Sequence, residues 1–137
     1  MAAGTTPIFL ATVATAASTI LPADTTTAKT IVTAGADGAR VMALSATTDD
    51  TAPIDYSVYV QRNGAGTDYL LGSVSVPAGA GNTSAVAAVD LFDPSKLKGL
   101  DLDGTLPLGS TDVLKVAART TITAAKTTYI VALYGDY

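Results

Sequence analysis

Two runs of alternating apolar residues flank a glycine-rich turn near the middle of the chain. Alternate positions of the first run are apolar and the intervening ones mostly polar, a period of two that is typical of a half-buried strand; the apolar set is Ile54, Tyr56, Val58 and Val60. The turn is Asn63-Gly64-Ala65-Gly66, and its glycines can adopt a positive φ without a Cβ clash. The second run extends from Tyr69 to Val76. The pattern predicts a central β-hairpin with further strands beside it.

The choice of polar residues favours strands and turns over helices throughout the chain. All 12 acidic residues are Asp, and Glu, a good helix former, is absent. Asp and Gly are typical of turns, whereas the abundant Thr and Val suit a pleated sheet. The chain has 137 residues, of which 48% are hydrophobic, which fits one folded domain and not a disordered protein.

About eight short strands, separated by turn signals at intervals of about 8 to 12 residues, predict an all-β, single-domain β-sandwich of jelly-roll or Greek-key type. Besides the hairpin, the predicted strands lie in Pro7–Leu21, Thr27–Ala34, Ala39–Thr47, Ser84–Phe92, Asp112–Thr120 and Thr127–Tyr134. Residues 1–26 are interpreted as an N-terminal strand with an extended arm, and residues 27–137 as the β-sandwich domain.

Two connections carry more specific expectations. Asp37-Gly38 between two β-prone runs predicts a hairpin, in which Ala39–Thr47 returns antiparallel to the preceding strand. The segment from Leu100 to Ser110 is interpreted as an irregular connection. Ala39–Thr47 is apolar on both parities, which suits a strand covered on each side or touching a partner.

Charge and hydropathy argue against two classes of partner. The net charge is −4 and the few basic residues are scattered, whereas nucleic-acid binding requires clustered Lys or Arg. Pro7–Leu21 has no preceding basic residue and is interrupted by Thr and Ser, so a signal peptide is disfavoured. It is also shorter than the roughly 20 apolar residues of a membrane span. Neither a nucleic acid nor a membrane is expected as a partner.

The residue inventory excludes much of the common catalytic chemistry. The chain contains no His, Cys or Glu, so Ser-His-Asp catalysis, a thiolate nucleophile and imidazole or sulfur metal sites are all ruled out. No cofactor or metal is expected. An Asp-dependent hydrolase would need paired carboxylates, for which Asp49 with Asp50 and Asp101 with Asp103 are the candidates.

The preferred interpretation of those aspartates is solvated loop residues that bond their own backbone. The segment Asp101-Leu102-Asp103-Gly104 also lacks the third ligand position and the closing Glu of a calcium-binding EF-hand loop. The sequence therefore predicts a protein without enzymatic activity.

The remaining hypothesis is that the protein functions by assembling with other protein chains. Ala makes up much of the apolar content, there is no Trp and Phe occurs twice, so the core is thin, and small domains with thin cores often oligomerise. Tyrosines are enriched at interfaces but also lie at the rims of β-sandwiches, and the sequence leaves both positions open. The candidate interface residues are Ile8, Phe9, Leu10, Met42, Tyr59, Tyr134 and Tyr137.

Four segments carry a resemblance to a known family: Thr5–Phe9, Thr33–Val41, Leu106–Gly109 and the Tyr-Gly-Asp-Tyr ending. In these the chain resembles the small capsid decoration (cement) proteins of tailed bacteriophages. The resemblance implies a non-enzymatic β-sandwich, a homotrimer, bound to the major capsid protein on the outer surface of the virion.

A second hypothesis is a phage tail or receptor-binding β-sandwich module that recognises carbohydrate. Such a module needs an exposed aromatic platform with Asp or Asn nearby, for which Tyr59, Tyr69 and Asp68 are the candidates. The absence of Trp weakens this hypothesis.

Overall fold

The computed structural model describes residues 10–137, and this part of the chain is all-β. The nine strands are β1 (Thr12–Ile20), β2 (Lys29–Thr33), β3 (Ala39–Thr48), β4 (Ile54–Gln61), β5 (Asp68–Val76), β6 (Val89–Asp90), β7 (Leu106–Leu108), β8 (Val113–Ala118) and β9 (Thr128–Asp136). Pro22–Asp24 and Arg62–Gly64 form single 3-10 turns. None of the helical segments in residues 10–137 has the length and apolar character needed to cross a bilayer.

The strands form two antiparallel sheets that pack as a β-sandwich, as the sequence predicts. Sheet A has the order β1-β9-β3-β6, with β7 also pairing with β3, and sheet B has the order β2-β8-β4-β5. With β6 and β7 taken together as one interrupted strand, these are the two four-stranded orders of a jelly roll. The pairs β4 with β5, β3 with β6 and β7, β2 with β8, and β1 with β9 are nested, so the chain is one long antiparallel ribbon wrapped into two sheets.

The predicted hairpin forms the tip of this ribbon. β4 and β5 pair from Ile54↔Val76 to Gln61↔Asp68, and the connecting turn holds Asn63 and Gly64 at positive φ (55° and 63°). Of the predicted alternating set, Ile54, Tyr56 and Val58 are buried between the sheets and Val60 packs against the core. The hairpin is central in the sequence, but β5 is an edge strand of sheet B.

The predicted hairpin at Asp37-Gly38 is wrong, because the two strands that this turn connects belong to different sheets. β2 pairs with β8 in sheet B, whereas β3 pairs with β9 in sheet A. The Asp-Gly signal specifies a chain reversal but not the partner of each strand. Here the reversal carries the chain across the sandwich, and Gly38 (φ 92°) is required because a Cβ would lie 2.7 Å from the Leu108 carbonyl oxygen.

Two further predictions of local structure are wrong: one predicted strand is mostly absent, and one segment interpreted as irregular contains a strand. Of the predicted strand Ser84–Phe92, only Val89–Asp90 is a strand, because the exposed small residues before it have little apolar surface to bury. Conversely, Leu106–Leu108 lies in the segment interpreted as irregular and forms β7. Pro107 is compatible with β7 because this short strand is at the edge of sheet A, where a missing N–H costs little.

A β-bulge explains why β3 is apolar on both parities. The register with β9 shifts between Val41 and Ala43, so Val41 points inward, Met42 occupies the bulge, and Leu44 and Ala46 resume the inward row. The apolar residues on both parities are therefore needed to fill one face. The core between the sheets includes Ile20, Val41, Leu44, Ala46, Ile130 and Ala132 from sheet A and Ile54, Tyr56, Val58, Val74, Leu114 and Val116 from sheet B.

Candidate docking surface

The outward side of sheet A presents exposed apolar side chains along β9. Thr128, Ile130 and Ala132 point into the sandwich and are buried. The alternate residues Tyr129, Val131 and Leu133 point outward and are 52%, 37% and 41% exposed. The sequence indicates that these three share a face, and the structure adds that the face is open to solvent.

The neighbouring strands extend this row into an uncharged surface that is bordered by two charged residues, Arg40 of β3 and Asp90 of β6. Tyr129 lies between Thr19 of β1 and Thr47 of β3, and the next two rows are Ala17-Val131-Ser45 and Thr15-Leu133-Ala43. Val13 of β1 continues the surface and is 62% exposed. We define the docking face as Val13, Thr15, Ala17, Thr19, Ala43, Ser45, Thr47, Tyr129, Val131 and Leu133; none of these residues carries a charge.

The dimensions of the docking face follow from strand geometry. Three strands spaced by about 4.8 Å, with seven residues at about 3.4 Å each, give a surface of about 14 Å by 24 Å, or roughly 340 Å². The largest apolar patch of a typical monomer is about 300–600 Å² and is often functional. The docking face is in this size range, although its Thr and Ser residues make it only partly apolar.

The outward side of sheet B has a different character. Lys115 of β8 lies 3.2 Å from the Asp68 carboxylate of β5, and Arg119 Nη1 donates to Ser57 Oγ at 3.3 Å. Asp55 also lies on this side, in register with the segment after β8. Because charged residues are depleted at the centres of protein interfaces, sheet A offers the better surface for a protein partner.

The candidate interface residues among residues 10–137 do not lie within the docking face. Tyr134 packs against the core, Met42 is half-buried at the bulge, and Tyr59 lies on the outward side of sheet B. Tyr59 lines a cleft of about 260 Å³ together with Thr26 and Arg119. Tyr137 is half-buried, and its N–H donates to the Gly38 carbonyl at 3.2 Å.

Of the N-terminal candidates, Leu10 meets the docking face at one end. A Cβ built on Gly135, which continues the outward row of β9, would lie 2.8 Å from Leu10 Cδ1. Leu10 therefore packs over Gly135 at the edge of the docking face. Ile8 and Phe9 lie outside the described residues.

Three of the segments that carry the family resemblance meet at one end of sheet A. Ala39 pairs with Leu108, which joins the Thr33–Val41 turn to the Leu106–Gly109 segment. The C-terminal residues join them, because the Gly35 N–H donates to Asp136 Oδ1 at 3.2 Å and Tyr137 bonds Gly38. The resemblance therefore covers a connected part of the structure, apart from Thr5–Phe9, which lies outside the described residues.

The Asp49–Asp50 pair has a structural environment that the sequence did not indicate. The interpretation as solvated aspartates is wrong for Asp50, which is 2% exposed. Its carboxylate accepts hydrogen bonds from Thr123 Oγ1 (2.7 Å), the Thr123 N–H (2.9 Å) and the Ala52 N–H (3.0 Å). Burial raises the pKa of Asp50, but these hydrogen bonds outweigh it and hold the pKa below its ordinary value. Asp49 accepts from the Thr127 N–H at 2.7 Å.

The Asp101–Asp103 pair is also held by its own loop. Asp101 accepts from Thr105 Oγ1 at 2.6 Å and from the Thr105 and Asp103 N–H groups at 3.0 Å. These bonds, the Thr105 hydroxyl above all, lower the pKa of Asp101. Asp49, Asp50 and Asp101 therefore stabilise loops by accepting backbone hydrogen bonds. Within residues 10–137, no group of three or more Asp side chains is close enough together to hold a metal ion.

A cleft of about 190 Å³ opens at one end of the docking face. It is lined by Thr47, Thr48, Asp49, Gly81, Asn82 and Tyr129. Gly81 (φ 71°) allows the loop to approach closely, because a Cβ there would lie 2.6 Å from Thr47 Cγ2. The cleft combines an exposed aromatic ring with a carboxylate and an amide.

Sequence reasoning missed the docking face because the relevant signal lies in β9. Both parities of that strand are apolar, with Ile130 and Ala132 on one and Tyr129, Val131 and Leu133 on the other. Such a strand without a bulge must either be covered on both sides or present one side to a partner. No protein-family model matches the chain, and no curated protein matches it.

Proposed function

We propose that the chain is a non-enzymatic structural protein of a tailed-bacteriophage virion, a capsid decoration (cement) protein that binds the major capsid protein on the outer surface of the head. In this function the docking face of sheet A contacts the capsid and sheet B faces outward. The chemistry required is burial of an uncharged surface, without a cofactor or a reacting group.

The observation that carries the proposal is the contrast between the two outward surfaces. The docking face has no charged residue and exposes Val13, Tyr129, Val131 and Leu133. The charges on that side of sheet A, Asp90 beside Ser45 and Arg40 beside Gly135, lie at its border. On the opposite surface Asp55, Lys115 and Arg119 lie among the outward side chains themselves. The main cost of burying a charged surface is the desolvation of its charges. Burial of the uncharged docking face in an interface avoids this cost. The charged surface remains favourable in contact with water.

Two further observations support the proposal. Three of the four segments that resemble the decoration family are connected at one end of sheet A, next to the docking face. Three of the aspartates that a hydrolase would need already accept backbone hydrogen bonds: Asp49 and Asp50 from the connection between β8 and β9, and Asp101 from its own loop. The geometry therefore favours a binding function over a hydrolytic one.

Co-sedimentation with expanded capsids of the phage that encodes the chain tests the proposal. The wild-type chain should pellet with capsids, and Val131→Lys should bind at least about 10-fold more weakly, because a buried ammonium without a partner costs more than 1.4 kcal/mol. Ser75→Lys is the matched control, since Ser75 is an exposed residue on the outward side of β5. Equal binding by the two lysine variants, or no binding by the wild-type chain, would refute docking through this face.

The cleft at Tyr129 favours a second candidate function, recognition of carbohydrate. An aromatic ring can stack on the apolar side of a sugar while the Asp49 carboxylate and the Asn82 amide bond its hydroxyl groups. A glycan array with the wild-type chain and Tyr129→Ala separates the two functions. Binding of a glycan that is lost in Tyr129→Ala, in a chain that does not pellet with capsids, would replace the decoration proposal with this one.

A further inference from the structure

Three of the four lateral sheet edges are protected against pairing with another chain. An exposed edge strand presents unpaired N–H and C=O groups, and natural proteins shorten, bend, charge or cover such edges. β2 is five residues long, begins with Lys29 and has a register shift between Thr30 and Val32. The far edge of sheet A consists of the short strands β6 and β7, the latter containing Pro107.

The β5 edge of sheet B is covered by another part of the chain. The Lys98 N–H donates to the Leu71 carbonyl at 3.2 Å, so a group of this edge is already paired. A Cβ built on Gly72 would lie 2.3 Å from the Lys96 carbonyl oxygen, which shows how closely the segment from Lys96 to Lys98 approaches β5.

β1 has none of these protections. It is nine residues long, contains no charged residue, Pro or Gly, and pairs with β9 from Thr12↔Asp136 to Ile20↔Thr128 without a register shift. Among the described residues, the backbone of Thr12–Ile20 is hydrogen-bonded through the β9 ladder alone. Its inward side chains Ala14, Ala16 and Ser18 are only half-buried. The side of β1 that faces away from β9 is thus a straight, uncharged edge about 30 Å long.

We infer that β1 pairs antiparallel with β1 of a second copy of this chain around a twofold axis, which joins the two A sheets into one continuous sheet. A twofold axis places each strand opposite its own sequence, so a charged residue near the axis would face its own copy and destabilise the pair. β1 has no charge at any position and meets this condition along its whole length. Its small side chains also leave the two backbones free to approach.

The pairing has a consequence for the docking face. Val13, Thr15, Ala17 and Thr19 of each copy become neighbours across the new ladder, so the docking faces of two copies merge into one uncharged surface of twice the size. The self-association is independent of capsid binding and is tested without capsids. A single twofold contact builds a dimer, whereas the family resemblance implies a trimer, so the mass in solution decides between them.

Light scattering coupled to size exclusion should give twice the 13.7 kDa mass of the chain. Thr15→Lys should shift the protein toward monomer by at least a 10-fold increase in the dissociation constant. Thr30→Lys is the matched control, because Thr30 is an exposed threonine on the edge strand of the other sheet. A wild-type monomer or trimer, or an equal effect of both lysine variants, would overturn the inference.

Disulfide trapping locates the contact directly, because the chain contains no Cys. Single cysteines are introduced at each position from Val13 to Thr19 and oxidised under mild conditions. In a twofold antiparallel pair, the residue at the axis faces its own copy with the Cβ atoms about 5 Å apart, close to disulfide distance. One position, or a position and its near neighbours, should therefore give a covalent dimer, and Thr30→Cys should not. A dimer by mass with no crosslink at any of the seven positions would place the contact elsewhere and refute the β1 assignment.

Discussion

Asp50 shows how a single residue holds two loops of the sandwich together. It belongs to the connection between β3 and β4, and its carboxylate accepts two hydrogen bonds from Thr123 in the connection between β8 and β9. The Asp50 N–H donates to Thr48 Oγ1, which also bonds the Thr128 hydroxyl, and Tyr56 OH bonds that hydroxyl in turn. Asp50 therefore ends a chain of polar groups that leads into the core: its backbone N–H joins this chain, and its carboxylate binds the other loop.

We expect Asp50→Asn to reduce the free energy of unfolding at pH 7 by about 1.5–3 kcal/mol, the range for hydrogen bonds to a charged group. The folded pKa of Asp50 lies below its ordinary value of 3.8, so folding favours the carboxylate. The stabilisation is then fully present above pH 3.8 and is lost as the pH falls through the folded pKa. In urea unfolding, the difference in unfolding free energy between wild type and Asp50→Asn should therefore become smaller as the pH is lowered.

Asp103→Asn is the control for the charge itself, since Asp103 is an exposed loop residue. It should change stability by less than about 0.5 kcal/mol. If Asp50→Asn were as stable as wild type at pH 7, or if their difference widened in acid, the hydrogen bonds to Thr123 would not stabilise the fold.

At the scale of elements, local patterns predicted most strands correctly. β2, β3, β4, β5, β8 and β9 all lie within or near the predicted ranges, because each combines β-prone residues with a turn signal at its ends. The sheet to which a strand belongs is a long-range property, and the Asp37-Gly38 reversal looks the same whether the chain returns beside β2 or crosses to the other sheet. The bulge at Met42 is likewise specified by the register with β9 and not by the sequence of β3.

The candidate surface was less predictable than the strands for a related reason. Alternation in β9 shows that Tyr129, Val131 and Leu133 share a side, but the packing of the two sheets decides which side is inward. Tyr134 illustrates the difficulty, since a tyrosine near a terminus suggests an interface and yet this one packs on the core. The composition of the core predicted assembly, which stays a prediction; only the three-dimensional pairing located an uncharged face.

The cover of the β5 edge gives a prediction for one glycine. Gly72→Ala should destabilise the protein by about 1–3 kcal/mol, because the new Cβ would lie 2.3 Å from the Lys96 carbonyl oxygen and the loop must move. That movement should lengthen or break the bond from the Lys98 N–H to Leu71, so the Lys98 amide should exchange faster with solvent deuterium. Ser75→Ala, an exposed position on the same strand, should leave both measurements unchanged. Unchanged exchange at Lys98 in Gly72→Ala would show that the loop does not cover the edge in solution.

At the scale of the whole molecule, the nested pairing makes the two ends of the ribbon interdependent. β1 and β9 form the strand pair farthest from the hairpin. Their ladder joins residues more than a hundred positions apart in the sequence, such as Thr12 and Asp136. β9 also pairs with β3, so it lies between the first strand and the rest of sheet A. The stability of sheet A therefore depends on β1, although β1 is an edge strand.

Removal of residues 1–21 tests this dependence. The shortened chain loses the nine-residue ladder to β9 and the buried side chain of Ile20, and loss of a buried Ile alone typically costs about 2–5 kcal/mol. Because small domains are stable by only about 5–15 kcal/mol, we expect a large decrease in the urea midpoint and a smaller slope, since less surface is buried on folding. A chain that begins at Leu10 keeps every described strand and is the control, so its midpoint should be well above that of the chain without residues 1–21. Equal midpoints for the two shortened chains would mean that the β1–β9 pair does not stabilise the sandwich. Deletion of β1 should destabilise the whole sandwich, so a loss of assembly in that chain could result from unfolding alone. Lysine and cysteine substitutions on an intact β1 are therefore the proper probes of self-association.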